Sequence, residues 1–542
     1  MKANKIKNNK IYNIKTYFGL FIKENLFDYI VLIIMNLVAE LGVIYSVYRL
    51  NNFLQSGFMQ EGRSSEVITL ISIVLVVAVC KIIKAHYDFK LSNEGLIYLE
   101  KKQLDHVMHS KYESTSMIDK IELAQQINND CVTISDFYVA KLLSLIVNII
   151  KLIVILYLIA KSSLISSVIL LALIVFYVII FLLSKKIYKK KNLDMLEAQQ
   201  KYFSVLGGEL LNIFLVKANS WYKETIKRFE QTGSEFVKKS IKFLDFDFII
   251  SNFIQIVSMI VLILFPVLMI ITGVDISLIF VVVLLSQMFF DSFNQTFNIM
   301  RDINQKNVSL ERQNKLLRIE RDQNGDKCLE KINNIHLKDV SFKYQQAKNY
   351  ILENKTFNFE KDKVTLIKGD NGSGKSTIIK LILSILYAQN GEILIDDQAM
   401  SEINMESLKE DNIAFCEQEP YLVKGTILEN LNYGLDNAKD LSFYMNNPLL
   451  SFVKELPNGF DTEITQSNNN ISGGQKQRIG IVRALSKESA NVYIFDEPTS
   501  ALDVKSIEIL TTMIKEKKKG NIIIVITHDK DFEKVADKIY SL

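Results

Sequence analysis

The chain has 542 residues, 49% of them hydrophobic and 23% charged. That pairing argues against a single soluble domain and for a membrane part joined to a soluble part. A formal net charge of +4 gives no basis for nucleic acid as a partner, and the four cysteines, Cys80, Cys131, Cys328 and Cys416, match no metal-ligand spacing.

The N-terminal "MKANKIKNNKIYNIK" is basic and runs into a long apolar stretch without a small-residue cleavage site, which reads as a retained membrane span and not a signal peptide. Stretches of bilayer-spanning length are expected at 28–49, 66–86, 137–160, 163–184, 248–271 and 276–298. Between them, 50–65, 161–162 and 272–275 are short, whereas the N-terminal tail, 87–136 and 185–247 are long and rich in lysine, as in "SKKIYKKK". By the positive-inside rule the long connections and both termini face the cytoplasm. The lysine- and asparagine-rich composition points to an AT-rich, bacterial coding sequence and hence to the cell membrane.

Inside or near these spans stand Glu40, Lys151 and Asp291, with Asn36, Asn148, Gln255 and Asn294. Ionisable groups at membrane depth face a cavity or each other, unless the helix runs on into water. Pro266, in "LILFPVLMI", removes one backbone hydrogen bond from the fifth span, where a kink or plain tolerance is expected. After Met300 the chain turns polar, so that 1–310 reads as the membrane domain, 311–334 as a linker and 335–542 as a soluble domain.

In that last part, short β-branched runs alternate with helical stretches. "KVTLIKG" is a buried strand and "DNGSGKSTIIKLILSIL" a glycine loop opening a helix, the context required of a P-loop, with Gly369, Gly374, Lys375 and Ser376 at the defining positions. Backbone N–H groups at the helix N-terminus suit phosphate, Lys375 the β and γ oxygens, and the Ser376 hydroxyl Mg²⁺. "NVYIFDEP" ends a strand in two acids: Asp496 to hold Mg²⁺ through water and Glu497 to polarise the attacking water. "NIIIVITHD" presents His528 at another strand end as a γ-phosphate sensor. A second anion-binding turn, "ISGGQ", carries Ser472, Gly473, Gly474 and Gln475 without an adjoining lysine. Such a turn suits a phosphate already held by another loop, that of a second subunit.

Together these residues resemble the ABC transporters. "GDNGSGKST", Gly369 to Thr377 with Asn371, Gly372 and Ser373 inside it, is similar to the Walker A motif of that family, and "YIFDEP" to its Walker B motif. "ISGGQ" resembles the signature, with Ile471 in place of the usual leucine, and "SALD", ending at Asp503, resembles the D-loop. Gln418 fits the Q-loop, which implies contact with Mg²⁺, and Tyr344 in "VSFKY" fits the aromatic that stacks on adenine. The loops 87–136 and 185–247 resemble those of six-span exporters, with short coupling helices placed near Lys111–Lys120 and Asn219–Glu224. One departure is the uncharged Thr465, Gln466 and Ser467, where exporters carry a Gly-Glu-Arg-Gly-like segment.

The resemblance implies an all-α six-helix transmembrane domain followed by an α/β P-loop ATPase domain of ABC type. It implies an ATP-hydrolysing half-transporter that works with a second half in the lipid bilayer, as a homodimer or a heterodimer, with ATP and Mg²⁺. Peptides or amphiphilic drug-like molecules are the favoured substrates, with a lipid flippase and an ATP-gated channel or sensor as alternatives. An N-terminal processing protease is not expected, because the first span begins at about residue 28.

Overall fold

The computed structural model describes residues 13–55, 63–273, 276–345, 347–465 and 470–542. The chain forms two compact units, one running to Ser110 and from Ser114 to Arg321, the other comprising Lys111–Glu113 and Asp322–Leu542.

The first unit is helical. An N-terminal helix α1 (Ile14–Glu24), capped by the Asn13 side chain on Thr16 N–H, precedes α2 (Leu26–Gln55) and α3 (Arg63–Met108). The five-residue α4 (Tyr112–Ser116) falls inside the stretch where the first short connecting helix was expected. It leads to α5 (Lys120–Asp136), which continues through a π-turn at Phe137–Lys141 into α6 (Leu142–Ser162). Next comes α7 (Leu164–Leu211), its N-terminus closed by Ser163 accepting from Ser166 N–H. Among the described residues six helical stretches are long and apolar enough to cross a membrane, and each predicted span overlaps one of them, 163–184 starting one residue and 276–298 two residues ahead of theirs. They overrun the apolar stretches: α3, α7 and α9 (Tyr222–Ile271) are 46, 48 and 50 residues long, more than twice the length a bilayer requires of about 20 residues.

The second connection departs from expectation. Its short helix α8 is Ile213–Ala218, ahead of the predicted Asn219–Glu224. The reason is a Schellman-type stop: Ser220, at φ +56°, donates to Lys217 O, and Trp221 N–H donates to Val216 O. Trp221 is thereby left as the N-cap of α9. α9 runs unbroken past Pro266, so the helix tolerates this proline.

α10 (Ile276–Leu316) runs against α2, α5, α6, α7 and α9. Half of its most apolar window is buried within the protein, against 11% for α3; α10 is the central helix and α3 a peripheral one. Two apolar clusters hold the unit. One joins α1, α2, α3 and α5 through Ile14, Phe18, Leu32, Leu91, Leu99 and Ile134. The other joins α6, α7, α9 and α10 through Ile155, Tyr177, Phe265 and Phe289, with Tyr177 stacked on Phe293 at 4.8 Å between ring centroids.

The second unit is α/β. β1 (Asn334–Phe342), β2 (Leu352–Glu360), β4 (Asn390–Ile395) and β5 (Gln398–Ala399) form a sheet of order β2-β1-β4-β5. A parallel sheet of order β11-β3-β10-β9-β6 uses β3 (Lys363–Lys368), β6 (Ile413–Cys416), β9 (Val492–Asp496), β10 (Ile522–Ile526) and β11 (Lys538–Ser541). β7 (Gly425–Thr426) and β8 (Glu463–Ile464) make a separate two-stranded ladder. In the parallel sheet alternate residues enter opposite cores: Val492, Ile494, Ile522 and Ile524 on one face, Tyr493, Phe495, Ile523 and Val525 on the other. Both faces are covered, so these strands read as continuous apolar runs.

Candidate functional site

Register decides where the chemistry gathers. Ile526, the last residue of β10, pairs with Asp496 of β9 and with Ile367 of β3, so three strand ends open at one edge of the parallel sheet. At the end of β3 the chain turns through Gly369 (φ +155°), Gly372 (φ +83°) and Gly374 (φ +101°) into α11 (Lys375–Ile382). Gly374 is left-handed, and a Cβ there would meet Ile351 Cγ2 at 2.8 Å, so this position requires glycine. A Cβ on Gly372 meets nothing within 4 Å, so only its backbone angle restricts it.

Lys375 is buried, and its ammonium donates to Gly369 O at 2.7 Å and Asp370 O at 3.1 Å, with His528 Nε2 at 3.2 Å. Ser376 is close enough to Asp496 to hold its carboxyl pKa down, so the hydroxyl and the acid assigned to a metal are adjacent. Ser373 Oγ is buried and has no hydrogen-bond partner among the described residues, leaving a polar atom of the loop for a ligand. Asn371 is exposed at the loop tip, and Thr377 Oγ1 is 3.3 Å from the hydroxyl of Tyr344. Tyr344 is thus brought to the P-loop, its ring held edge-on against Phe342.

Glu497 follows β9 with φ +49°, a left-handed backbone rare for a side-chain-bearing residue. Two bonds hold it there: its N–H donates to Ile526 O at 2.8 Å, and its carbonyl accepts from Gln477 Nε2 at 2.8 Å. Its carboxylate lies 3.6 Å from His528 Nε2. Burial raises the Glu497 pKa above the ordinary glutamate value, a shift His528 and Lys375 oppose and Asp496 reinforces. Asp496 is raised as well, mainly by burial, against the Ser376 hydroxyl and the charges of Lys375 and Lys380.

Ser472 caps the helix Gly473–Leu485: its Oγ accepts from Gln475 N–H, while its own N–H donates to Gln475 Oε1. This capping box leaves Ser472 and Gly473 exposed. Gly474 lies so close to Ala501 O that a Cβ would come within 2.5 Å of it. Ser472–Gln475 make no hydrogen bond to the P-loop among the described residues. Asp503 caps the helix Val504–Lys517 through Ser506 N–H, and the Ser506 side chain, with that N–H second, lowers its pKa. Gln418 is exposed in the loop after β6, whose Cys416 pairs with Phe495 beside Asp496. Thr465 lies at the edge of the described residues, and Gln466 and Ser467 lie outside them.

Gln477 escaped the sequence reading. It is buried, and its amide bonds Glu497 O, Ser500 Oγ and Ala501 N–H together. A glutamine five residues after a capping serine, on the inner face of a helix, was the available signal.

The family model for the ABC transporter transmembrane region matches residues 29–293, and that for the ABC transporter itself matches residues 352–500. The chain belongs to the ABC transporters. Its architecture is that of an exporter half-transporter, with the membrane region ahead of the nucleotide-binding region in one chain. Among curated relatives, the ABC multidrug transporter mdr4 of Aspergillus fumigatus is 37% identical over 213 residues, 38% of this chain and 16% of that protein. The ATP-dependent lipid A-core flippase of Haemophilus influenzae is 36% identical over 213 residues, 38% of this chain and 35% of the flippase. These alignments span about a third or less of the relatives' own length. A solved bacterial Atm1-family ABC exporter with ATP bound shares the fold across 96% of this chain and 93% of its own, with a TM-score of 0.83 and 18% identity.

Proposed function

We propose that this ABC transporter is an ATP-hydrolysing exporter that works as a dimer of half-transporters in the cell membrane, with its nucleotide-binding region cytoplasmic. The observation that carries the reading is the convergence of Lys375, Asp496, Glu497 and His528 at one sheet edge, in a chain with six membrane-length helices. Lys375 exchanges its loop carbonyls for the β and γ oxygens of ATP, and Tyr344 receives the adenine. The backbone from Gly369 to Thr377 surrounds the phosphates. Ser376, Asp496 and Gln418 would hold Mg²⁺, which supplies charge neutralisation on the phosphates. Glu497 takes the proton of the attacking water, and its raised pKa brings it closer to neutral pH as a base. His528 orients against both the γ-phosphate and Glu497.

The exposed helix N-terminus at Ser472, Gly473 and Gly474 suits a phosphate held by the P-loop of a second subunit, with Gln475 and Asp503 beside that interface. Two nucleotides are thereby enclosed between two chains, and their closure and release drive alternating access of the membrane halves. An identical second chain is the partner favoured by a complete motif set. Peptides or amphiphilic drug-like molecules are the favoured cargo. A lipid is the second reading, supported by the likeness to the Haemophilus influenzae flippase.

The test is ATPase activity of the chain alone in lipid nanodiscs, titrated with short peptides, amphiphilic drugs and defined lipids, with Glu497→Gln as the blank. Stimulation by one class names the cargo, and turnover without a second protein establishes the homodimer. Ser472→Arg, placing bulk and a cation at the exposed turn, is expected to abolish turnover while leaving ATP binding to the P-loop intact. Unchanged hydrolysis in that variant overturns the two-chain nucleotide site.

A further inference from the structure

On α7 the apolar run ends at Ser184 and gives way to "KKIYKKK", five lysines in seven residues. The positive-inside rule accounts for the sign of this segment but not for its grouping on one surface. Lys185 and Lys189, and Lys186 and Lys190, are like-charged pairs one helical turn apart, an arrangement that destabilises a helix. Two of the five are committed within the protein. Lys189 donates to Glu311 at 2.9 Å, and Lys191 donates to the Lys242 carbonyl at 2.9 Å while lying over the ring of Phe246. Lys185, Lys186 and Lys190 are exposed, and among the described residues no carboxylate lies within ion-pair distance of them.

These three side chains line a groove of about 500 Å³ that begins at Leu182 and ends at Asp194 and Glu197, so that cations outnumber carboxylates in its wall. A second groove of about 390 Å³ shares Lys186 and Lys190 and adds Lys239 and Lys242 from α9. Two helices therefore direct cations at one region just where the apolar stretch stops. On the bilayer side of the lysines, Leu182 and Leu183 are 61% and 73% exposed. A cationic level is thus continuous with an apolar strip, which is the chemistry of an anionic head group carrying an acyl chain.

We propose that this groove binds an anionic phospholipid from the adjacent leaflet, its phosphate among Lys185, Lys186 and Lys190 and an acyl chain along Leu182 and Leu183. The shared anion relieves the repulsion within the lysine cluster.

The full-length chain, delipidated in detergent and offered equal amounts of phosphatidylglycerol and phosphatidylcholine, is expected to retain the anionic lipid at least about fivefold over the neutral one, as measured by mass spectrometry of bound lipid. The triple variant Lys185→Gln, Lys186→Gln, Lys190→Gln should bring that ratio near one, whereas the matching Lys→Arg triple should keep it. Unchanged ATP binding and melting temperature in the glutamine variant separate lost lipid from lost fold. Equal enrichment in the parent and the glutamine variant overturns the proposal, as does no enrichment in the parent. Displacement by millimolar glycerol phosphate also overturns it, because the site would then take a free anion without need of the acyl chain.

Discussion

The two units place their polar chemistry in opposite ways. In the α/β unit, Asp496 ends β9, Glu497 and His528 follow β9 and β10 within two residues, and Lys375 stands at the far end of the glycine loop after β3. In the helical unit, Glu40 and Lys151 sit mid-helix and meet across 111 positions, Lys151 donating to Glu40 Oε2 at 2.7 Å. Asn148 donates to Gln295 at 3.3 Å across 147 positions, and Asn36 is buried with its amide nitrogen unpaired among the described residues. A strand end needs only a loop to present a group to a ligand. A membrane helix has no loop at that depth, so its polar groups answer to other helices.

Glu497→Gln is expected to lower kcat by at least about 100-fold, the loss of a positioned general base, with ATP binding preserved; near-normal turnover would move the base elsewhere. Gln477→Leu tests whether the α/β site is as local as it looks. It removes three bonds around the left-handed Glu497 and the Ser500–Ala501 turn, so kcat should fall about tenfold with little change in KM. An equal fall in kcat/KM caused wholly by weaker ATP binding would refute a positioning role.

For the helical unit, Lys151→Met leaves Glu40 without its partner. Because Glu40 is partly exposed, the expected loss of stability is about 1–3 kcal/mol, below that of a fully buried pair. Adding Glu40→Gln should restore most of the melting temperature; a double variant no better than the single would deny the pairing. The smallest effect concerns pH. With Glu497 raised above its ordinary value, the carboxylate is lost on acidification earlier than for a solvated glutamate. The acidic limb of the ATPase profile should therefore lie above the ordinary glutamate range, and a limb within or below that range contradicts the assignment of Glu497 as base.

Legibility followed the same division. The six apolar stretches were readable because a bilayer demands length and composition, properties of one segment at a time. The P-loop and the Asp496–Glu497 pair were readable because phosphate recognition uses consecutive backbone N–H groups and residues at a strand end. How far the helices continue past the bilayer was less so, since polar faces such as that of α3 gain helicity from packing, which composition does not encode. The second short helix was placed several residues late because its stop depends on Ser220 adopting a left-handed backbone, and no glycine marks that site.

By itself, then, the amino-acid order determined the two kinds of structure, their sequence along the chain and the residues of the phosphate loop, all of which depend on near neighbours. Tertiary structure alone decided that Glu40 meets Lys151, that Gln477 clamps the backbone of Glu497, and that α7 and α9 bring their lysines to one groove. Each of these joins residues far apart in the chain, and their distance is set by how helices and strands pack.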